Sequence, residues 1–259
     1  MFWSDFFDQR PKPPYIHPRD ARCFDASYWK GKPSYAQECL DFTGFIKSPC
    51  LDPDDGDFHF SLLPAPYVGN LAEADVFILL LNPGFSPGDY FGEYERTDFK
   101  EALKQNLKQE FSGVQYPFLY LDPRFCWHPG FRWWEAKLRK TLRHVADAQH
   151  KGNYLLALKA APQRIASIEL VPYHSRRFAG GKLEAKLESA LSAKAWVRDC
   201  LIPRALDGEL VIVATYKWHL KNHRDHVVSL SRFQALAAPL TPTTKGGRLI
   251  LAQLLKKKS

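Results

Sequence analysis

Apolar residues along the chain fall into short unbroken runs, with stretches of helical spacing between them. The run Ala74-Asp75-Val76-Phe77-Ile78-Leu79-Leu80-Leu81 stops at Asn82-Pro83-Gly84 and predicts a strand buried on both faces. Ile165 to Val171, closed by Pro172, predicts a second strand, Leu210 to Thr215 a third, and Arg232 to Leu240 a fourth. After the first strand, Asp98 and Glu101 give a capping-box-like start to a helix. Phe99, Leu103, Leu107 and Phe111 form its stripe, and Gly113 ends it. Trp134, Leu138, Leu142 and Val145 predict a helix over about residues 132–149. Leu183, Leu187 and Leu191 mark another that runs to about Asp199. Leu249, Ile250, Leu251, Leu254 and Leu255 mark a last one from about Gly247. Buried strands alternating with amphipathic helices predict an α/β fold, with a mainly parallel four-stranded sheet covered on both faces. Ligands of such sheets sit beyond the carboxyl ends of the strands, which here means residues 82–91, 172–178, 215–219 and 241–248.

Prolines change the picture before residue 70. They recur at 11, 13, 14, 18, 33, 49, 53, 64 and 66, too often for long helices or central strands. Residues 1–70 are therefore expected to wrap irregularly on a body formed by residues 71–259, pinned by Phe2, Trp3, Phe6, Phe7, Tyr28 and Trp29.

With 259 residues, 45% hydrophobic and 25% charged, the chain belongs with soluble globular proteins and can bury a sizeable core without staples. Cys23, Cys39, Cys50, Cys126 and Cys200 show no two- or three-residue spacing, which argues against a zinc ribbon, a redox Cys-x-x-Cys pair and a disulfide framework. A reducing cytoplasm fits better. The longest purely apolar stretch, Val76 to Leu81, is too short to span a bilayer, and the start Met1-Phe2-Trp3-Ser4-Asp5 lacks a signal peptide's pattern. Secreted, membrane and collagen-like classes are excluded, and a monomer without a membrane partner is expected.

The net charge of +8 divides unevenly. Residues 1–120 carry 11 Lys and Arg against 18 Asp and Glu, whereas residues 121–259 carry 25 against 10. Such asymmetry points the later half at a polyanion, nucleic acid above all, although solvated helix faces would give the same count.

Candidate chemistry gathers in the loops after the strands. Asn82-Pro83-Gly84-Phe85-Ser86-Pro87-Gly88-Asp89-Tyr90 fixes an unusual backbone path with two prolines and two glycines. Its asparagine can hold a water through the carbonyl oxygen, and Phe85, Tyr90 and Phe91 offer faces for stacking. An ordinary tight turn would read the same way. Val171-Pro172-Tyr173-His174-Ser175-Arg176-Arg177-Phe178 brings together groups suited to an anion or a base, or simply a cap for the next element. Glu169, inside an apolar strand, needs solvent or a partner. Tyr216-Lys217-Trp218-His219, with His223 and His226, lacks an acidic or cysteine partner at zinc-site spacing. Thr241-Pro242-Thr243-Thr244-Lys245-Gly246-Gly247-Arg248 joins hydroxyls, glycines and cations at a helix start, which suits phosphate or a plain N-cap.

Taken together, the loops resemble the uracil-DNA glycosylase superfamily across roughly residues 60 to 255. Leu80-Leu81-Asn82-Pro83-Gly84 is similar to the first motif of its Asn-Pro-Gly branch, and Thr241-Pro242-Thr243-Thr244 stands in the place of its His/Asn-Pro-Ser motif. Leu80 replaces a glycine, Thr241 replaces the residue that stabilises the departing base, and Glu169 replaces a base-reading asparagine. The cysteine spacing does not support that superfamily's iron–sulfur cluster.

The resemblance implies a three-layer αβα sandwich and a monofunctional DNA glycosylase without cofactor or metal. Such an enzyme hydrolyses the N-glycosidic bond of a flipped base through an oxocarbenium-like sugar. Asn82 then holds the water and His174 stabilises the leaving base. Leu81, Pro83, Gly84, Phe85, Tyr90, Glu169 and Tyr173 cradle that base. Arg176, Arg177, Lys217, Thr241, Pro242, Thr243, Thr244, Lys245, Gly246 and Arg248 hold DNA. An ionised Glu169 only accepts hydrogen bonds, which disfavours uracil and points to an amino-bearing or modified base such as a substituted cytosine. Removal of such bases would serve defence against phage DNA. Two rival classes stay open: a non-catalytic nucleic-acid-binding module, and a hydrolase of nucleosides or other small molecules.

Overall fold

The computed structural model describes residues 2–30, 39–52, 56–178, 182–223, 225–230 and 240–257. The chain divides into two compact units. One comprises residues 1–66, 81–108 and 169–195, and the other residues 67–80, 109–168 and 196–259.

The second unit carries the sheet. Its strands are β1 (Tyr67–Val68), β2 (Val76–Leu80), β3 (Ile165–Glu169), β4 (Leu210–Val213) and β5 (Val227–Ser229), in the spatial order β1-β3-β2-β4-β5. Pairing is parallel between β2 and β4, with Val76 opposite Leu210, and between β4 and β5. At the edge, β1 runs antiparallel to β3, with Tyr67 opposite Ile168. The sheet is thus mixed and five-stranded, which corrects the expectation of four strands. Two elements account for the difference: β1 is two residues long inside the proline-rich segment, and β5 lies before the expected fourth strand. Of that expected strand, residues 232–239 lie outside the described residues.

Why these runs became central strands is visible in their burial. Val76, Phe77, Ile78 and Leu79 are at most 2% exposed, as are Val211, Ile212 and Val213. Each such side chain contributes about 2 kcal/mol by leaving water. The helix Pro129–Gln149 buries Trp134, Leu138, Leu142 and Val145 as the spacing predicts, together with Thr141. Arg164 ties the unit together: its guanidinium pairs with Asp75 and donates to the carbonyls of Gln253 and Leu254, both at 2.8 Å, at the end of the helix Lys245–Leu255. A cation there satisfies carbonyls that the helix leaves unpaired.

The first unit is knitted by aromatic side chains. Trp3, Phe6, Phe24, Phe45, Phe58 and Phe60 are buried, and the side chain of Trp29 lies outside the described residues. The buried Asp20 carboxylate accepts from the Tyr173 hydroxyl at 2.7 Å and from the Ser189 amide at 3.0 Å. It thereby connects the N-terminal segment to the loop after β3 and to the start of the helix Glu188–Trp196.

Helix boundaries shift where proline or a left-handed residue intervenes. The helix Thr97–Lys108 ends before Gln109, whose φ is 59°, rather than at Gly113. The predicted helix to Asp199 is instead a 3-10 turn at Leu183–Ala185, the helix Glu188–Trp196 and a π turn at Val197–Leu201. A further helix, Ile202–Leu206, follows with Pro203 in its first turn. Pro203 has no N–H to give the preceding turn. Among the described residues, no helix is long and apolar enough to cross a membrane.

Candidate active site

β2 ends at Leu80, and the chain turns through Leu81-Asn82-Pro83-Gly84. The corner is laced to the loop after β3. Val171 N–H donates to Leu81 O at 2.8 Å, and Ser175 N–H donates to Pro83 O at 3.3 Å. The Asn82 side chain adds two bonds, from Nδ2 to Pro83 O and from Nδ2 to Ser175 Oγ, each 2.9 Å long. Leu81, Asn82 and Pro83 are half-buried and Gly84 is exposed, with nothing within 4 Å of where a Cβ would stand. Among the described residues, no donor reaches Asn82 Oδ1, so this oxygen is an acceptor held in place without a protein partner.

His174 lies in the same corner, but its ring is already engaged. Nδ1 is 2.9 Å from Gly84 O and Nε2 is 3.1 Å from Leu63 O, while the His174 carbonyl accepts from His59 N–H at 2.9 Å. Every ring N–H faces a backbone carbonyl. The expected donation to a departing base is therefore withdrawn, because no N–H is left to give. His174 clamps the backbone of residues 63, 84 and 59 instead.

The aromatic residues expected to stack on a base are core. Ser86-Pro87-Gly88-Asp89 does not prolong a loop but starts the helix Pro87–Glu95: Gly88 N–H donates to Ser86 Oγ at 3.2 Å, and Asp89 Oδ2 accepts from Ser86 N–H at 2.7 Å. Tyr90 is 1% exposed and lies flat on Phe45, with ring centroids 4.2 Å apart. Phe85 is covered by His59, stacked at 3.6 Å, and by the Arg176 guanidinium 5.1 Å from its centroid. Tyr173 is 2% exposed and bound to Asp20. None of the three presents a free face, so their base-binding roles are withdrawn. Burial and the neighbouring His174 push the pKa of His59 down to about 3.

Glu169 is the last residue of β3 and is buried, and its backbone N–H donates to Pro66 O at 2.8 Å. Its Oε2 is shielded from solvent and makes no hydrogen bond among the described residues. Burial raises its pKa well above the ordinary carboxylate value of 4.5, since nothing nearby compensates a charge. Burial thus favours the protonated form, which has one O–H to donate and a carbonyl oxygen to accept. In that form the side chain is not the acceptor-only carboxylate on which the sequence reading disfavours uracil.

Sequence reasoning missed Ser175 and His59. Both lie among aromatic or charged neighbours that drew the eye first, and only the fold brings Ser175 to Asn82 across 93 positions. Arg176 is half-buried and Arg177 exposed in the same loop.

The remaining DNA-binding candidates belong to the other unit. Thr241 is buried, and its carbonyl accepts from Thr244 N–H and from Thr244 Oγ1, both at 2.9 Å. Thr244 then caps the helix Lys245–Leu255 by accepting from Gly247 N–H at 3.2 Å. A Cβ on Gly247 would stand 1.9 Å from Thr241 O, so only glycine allows this approach. Gly246 is also buried and Pro242 is half-buried, while Thr243, Lys245 and Arg248 are exposed at the helix start, as a phosphate contact requires. Lys217 is half-buried in the 3-10 turn Tyr216–Trp218. This unit holds 20 Lys and Arg against 10 Asp and Glu, a net +10, whereas the Asn82 unit holds 16 against 18. Among the described residues, no group of three or more His, Cys, Asp or Glu could hold a metal ion. The chain matches no protein-family model, no curated protein and no solved structure.

Proposed function

We propose that the chain is a DNA glycosylase that hydrolyses the N-glycosidic bond of a single, everted and modified base. The observation that carries this reading is Asn82: an amide fixed just past the end of a central strand, whose Oδ1 has no hydrogen-bond partner among the described residues. On this reading Oδ1 orients a water toward C1′. The water oxygen bonds to C1′ as the C1′–N bond breaks, the bonding pair leaves with the base, and the water's proton passes to solvent. Stabilising the base as negative charge grows on it is the principal electrostatic demand of such a reaction.

On this reading Glu169 takes the base-reading role in its protonated form, which burial favours. Its carbonyl oxygen suits an exocyclic amine, and its O–H suits the adjacent ring nitrogen of a substituted cytosine. Donation to that nitrogen neutralises the leaving base, and Glu169 regains its proton from water. The reading includes a three-layer sandwich of the uracil-DNA glycosylase kind and, for modified cytosines, a setting in defence against phage DNA. The excess of positive charge in the sheet-bearing unit supports DNA as the partner, with Thr243, Lys245 and Arg248 as phosphate contacts.

Incubation with duplex and single-stranded DNA carrying substituted cytosine, uracil or thymine, followed by scoring of abasic sites, tests the proposal. Release of a substituted cytosine supports it. Binding of every DNA without release of any base would favour the non-catalytic module, and activity confined to free nucleosides would favour a small-molecule hydrolase.

A further inference from the structure

A water-holding amide must present its oxygen, not its nitrogen, to the water. An asparagine side chain rotates easily between the two, and the sequence alone contains nothing that chooses. The corner does choose. Pro83 O can only accept, so the Asn82 atom 2.9 Å from it must be the amide nitrogen. That bond uses one Nδ2 hydrogen. The second points to Ser175 Oγ, also at 2.9 Å. Ser175 is 1% exposed, and its own N–H is fixed to Pro83 O. The hydroxyl therefore sits on a backbone that cannot drift from the corner it serves. With both hydrogens of the amide engaged, Oδ1 is left without a hydrogen-bond partner among the described residues.

We propose that Ser175 is a positioning residue: its buried hydroxyl takes the second hydrogen of the Asn82 amide and holds Oδ1 in the orientation that binds the attacking water. This rests on the glycosylase reading above. Ser175 touches neither base nor sugar and acts through Asn82 alone. His174 supports the same geometry from the other side, since it fixes Gly84 O and Leu63 O.

Two measurements separate this inference from the reading on which it rests. In the first, the side-chain amide of Asn82 is followed by 15N NMR, with its resonance identified by its loss in Asn82→Asp. Both amide protons should exchange slowly in the native protein, one should exchange markedly faster in Ser175→Ala, and Ser175→Thr should restore protection. This readout needs no activity. In the second, single-turnover base release and KM are measured on the DNA that the native enzyme cleaves. Ser175→Ala should slow release by about 10- to 100-fold, the scale on which loss of alignment acts, with KM changed by less than about twofold. Ser175→Thr should recover most of the rate, and Asn82→Ala with Ser175→Ala should be no slower than Asn82→Ala alone.

Unchanged amide protection in Ser175→Ala, or equal loss from Ser175→Ala in the presence and absence of Asn82, would overturn the positioning role. A native protein that releases no base from any DNA sinks the glycosylase reading, while the NMR result still decides whether Ser175 holds the amide. Thermal melts of each variant identify any that fail to fold, and Ser175→Cys, which keeps the volume but weakens the acceptor, then stands in for Ser175→Ala.

Discussion

The Nδ1 atom of His174 lies 2.9 Å from the carbonyl oxygen of Gly84, and the opposite nitrogen of the ring lies 3.1 Å from that of Leu63. A histidine that invites a catalytic reading in the sequence is thus a strut inside the corner that carries Asn82. In its neutral form the ring has one N–H, so either tautomer donates to only one of the two carbonyls, and losing such a bond costs about 0.5–1.5 kcal/mol. Together with the packing of the buried ring, His174→Ala should therefore lower stability by about 1–3 kcal/mol in urea unfolding. A change below about 0.5 kcal/mol would show that the clamp is not formed in solution.

The buried Glu169 should make stability fall as pH rises. Its folded pKa is raised above the ordinary 4.5, so below 4.5 the group is neutral in both states and costs nothing. Above 4.5 the unfolded chain loses the proton while the folded chain keeps it. Stability then declines, by up to about 1.4 kcal/mol for each pH unit over which the two states differ by one proton. Glu169→Gln removes this dependence. The gain in melting temperature of Glu169→Gln over the native protein should be small at pH 4.5 and grow as pH rises above it; Glu93, which burial also raises, cancels in that difference.

His59 acts in the opposite sense. Its folded pKa is about 3 against an ordinary 6.5, so it favours the folded state fully above pH 6.5, and that contribution is lost as pH falls toward 3. His59→Phe keeps a flat ring against Phe85 and cannot charge. Denaturation curves from pH 7 to pH 4 should show a shallower loss of stability in His59→Phe than in the native protein. Parallel curves would indicate that His59 is solvated.

Salt dependence tests the DNA partner. If Lys245 and Arg248 neutralise phosphates, replacing either with alanine should weaken DNA binding across all sequences. Each replacement should also reduce the slope of log Kd against log salt by about one. An unchanged slope would remove the helix start from the interface.

Much of the sheet was legible because burial on both faces leaves continuous apolar runs: β2, β3 and β4 stand within a few residues of the predicted strands. β1 and β5 are two and three residues long, too short for any periodicity to register. The helix Pro87–Glu95 was hidden by Pro87 and Gly88, which signal a loop, although Ser86 and Asp89 are a capping box. In the site, Asn82 was visible because proline and glycine after a buried strand mark a fixed corner. Phe85 and Tyr90 were misjudged because an aromatic side chain looks alike whether it awaits a ligand or fills a core, and only Phe45 and His59 decide which. Ser175 stood in the loop only as one possible cap, since a hydroxyl acquires a role only from what the fold sets against it.

The most direct measurement is single-turnover release of a substituted cytosine from DNA by the native protein and by Asn82→Ala, with DNA affinity measured alongside. Asn82→Ala should bind DNA within about twofold of the native protein and release the base at least about 100-fold more slowly. Equal release by both proteins would contradict the role of Asn82 as holder of the attacking water.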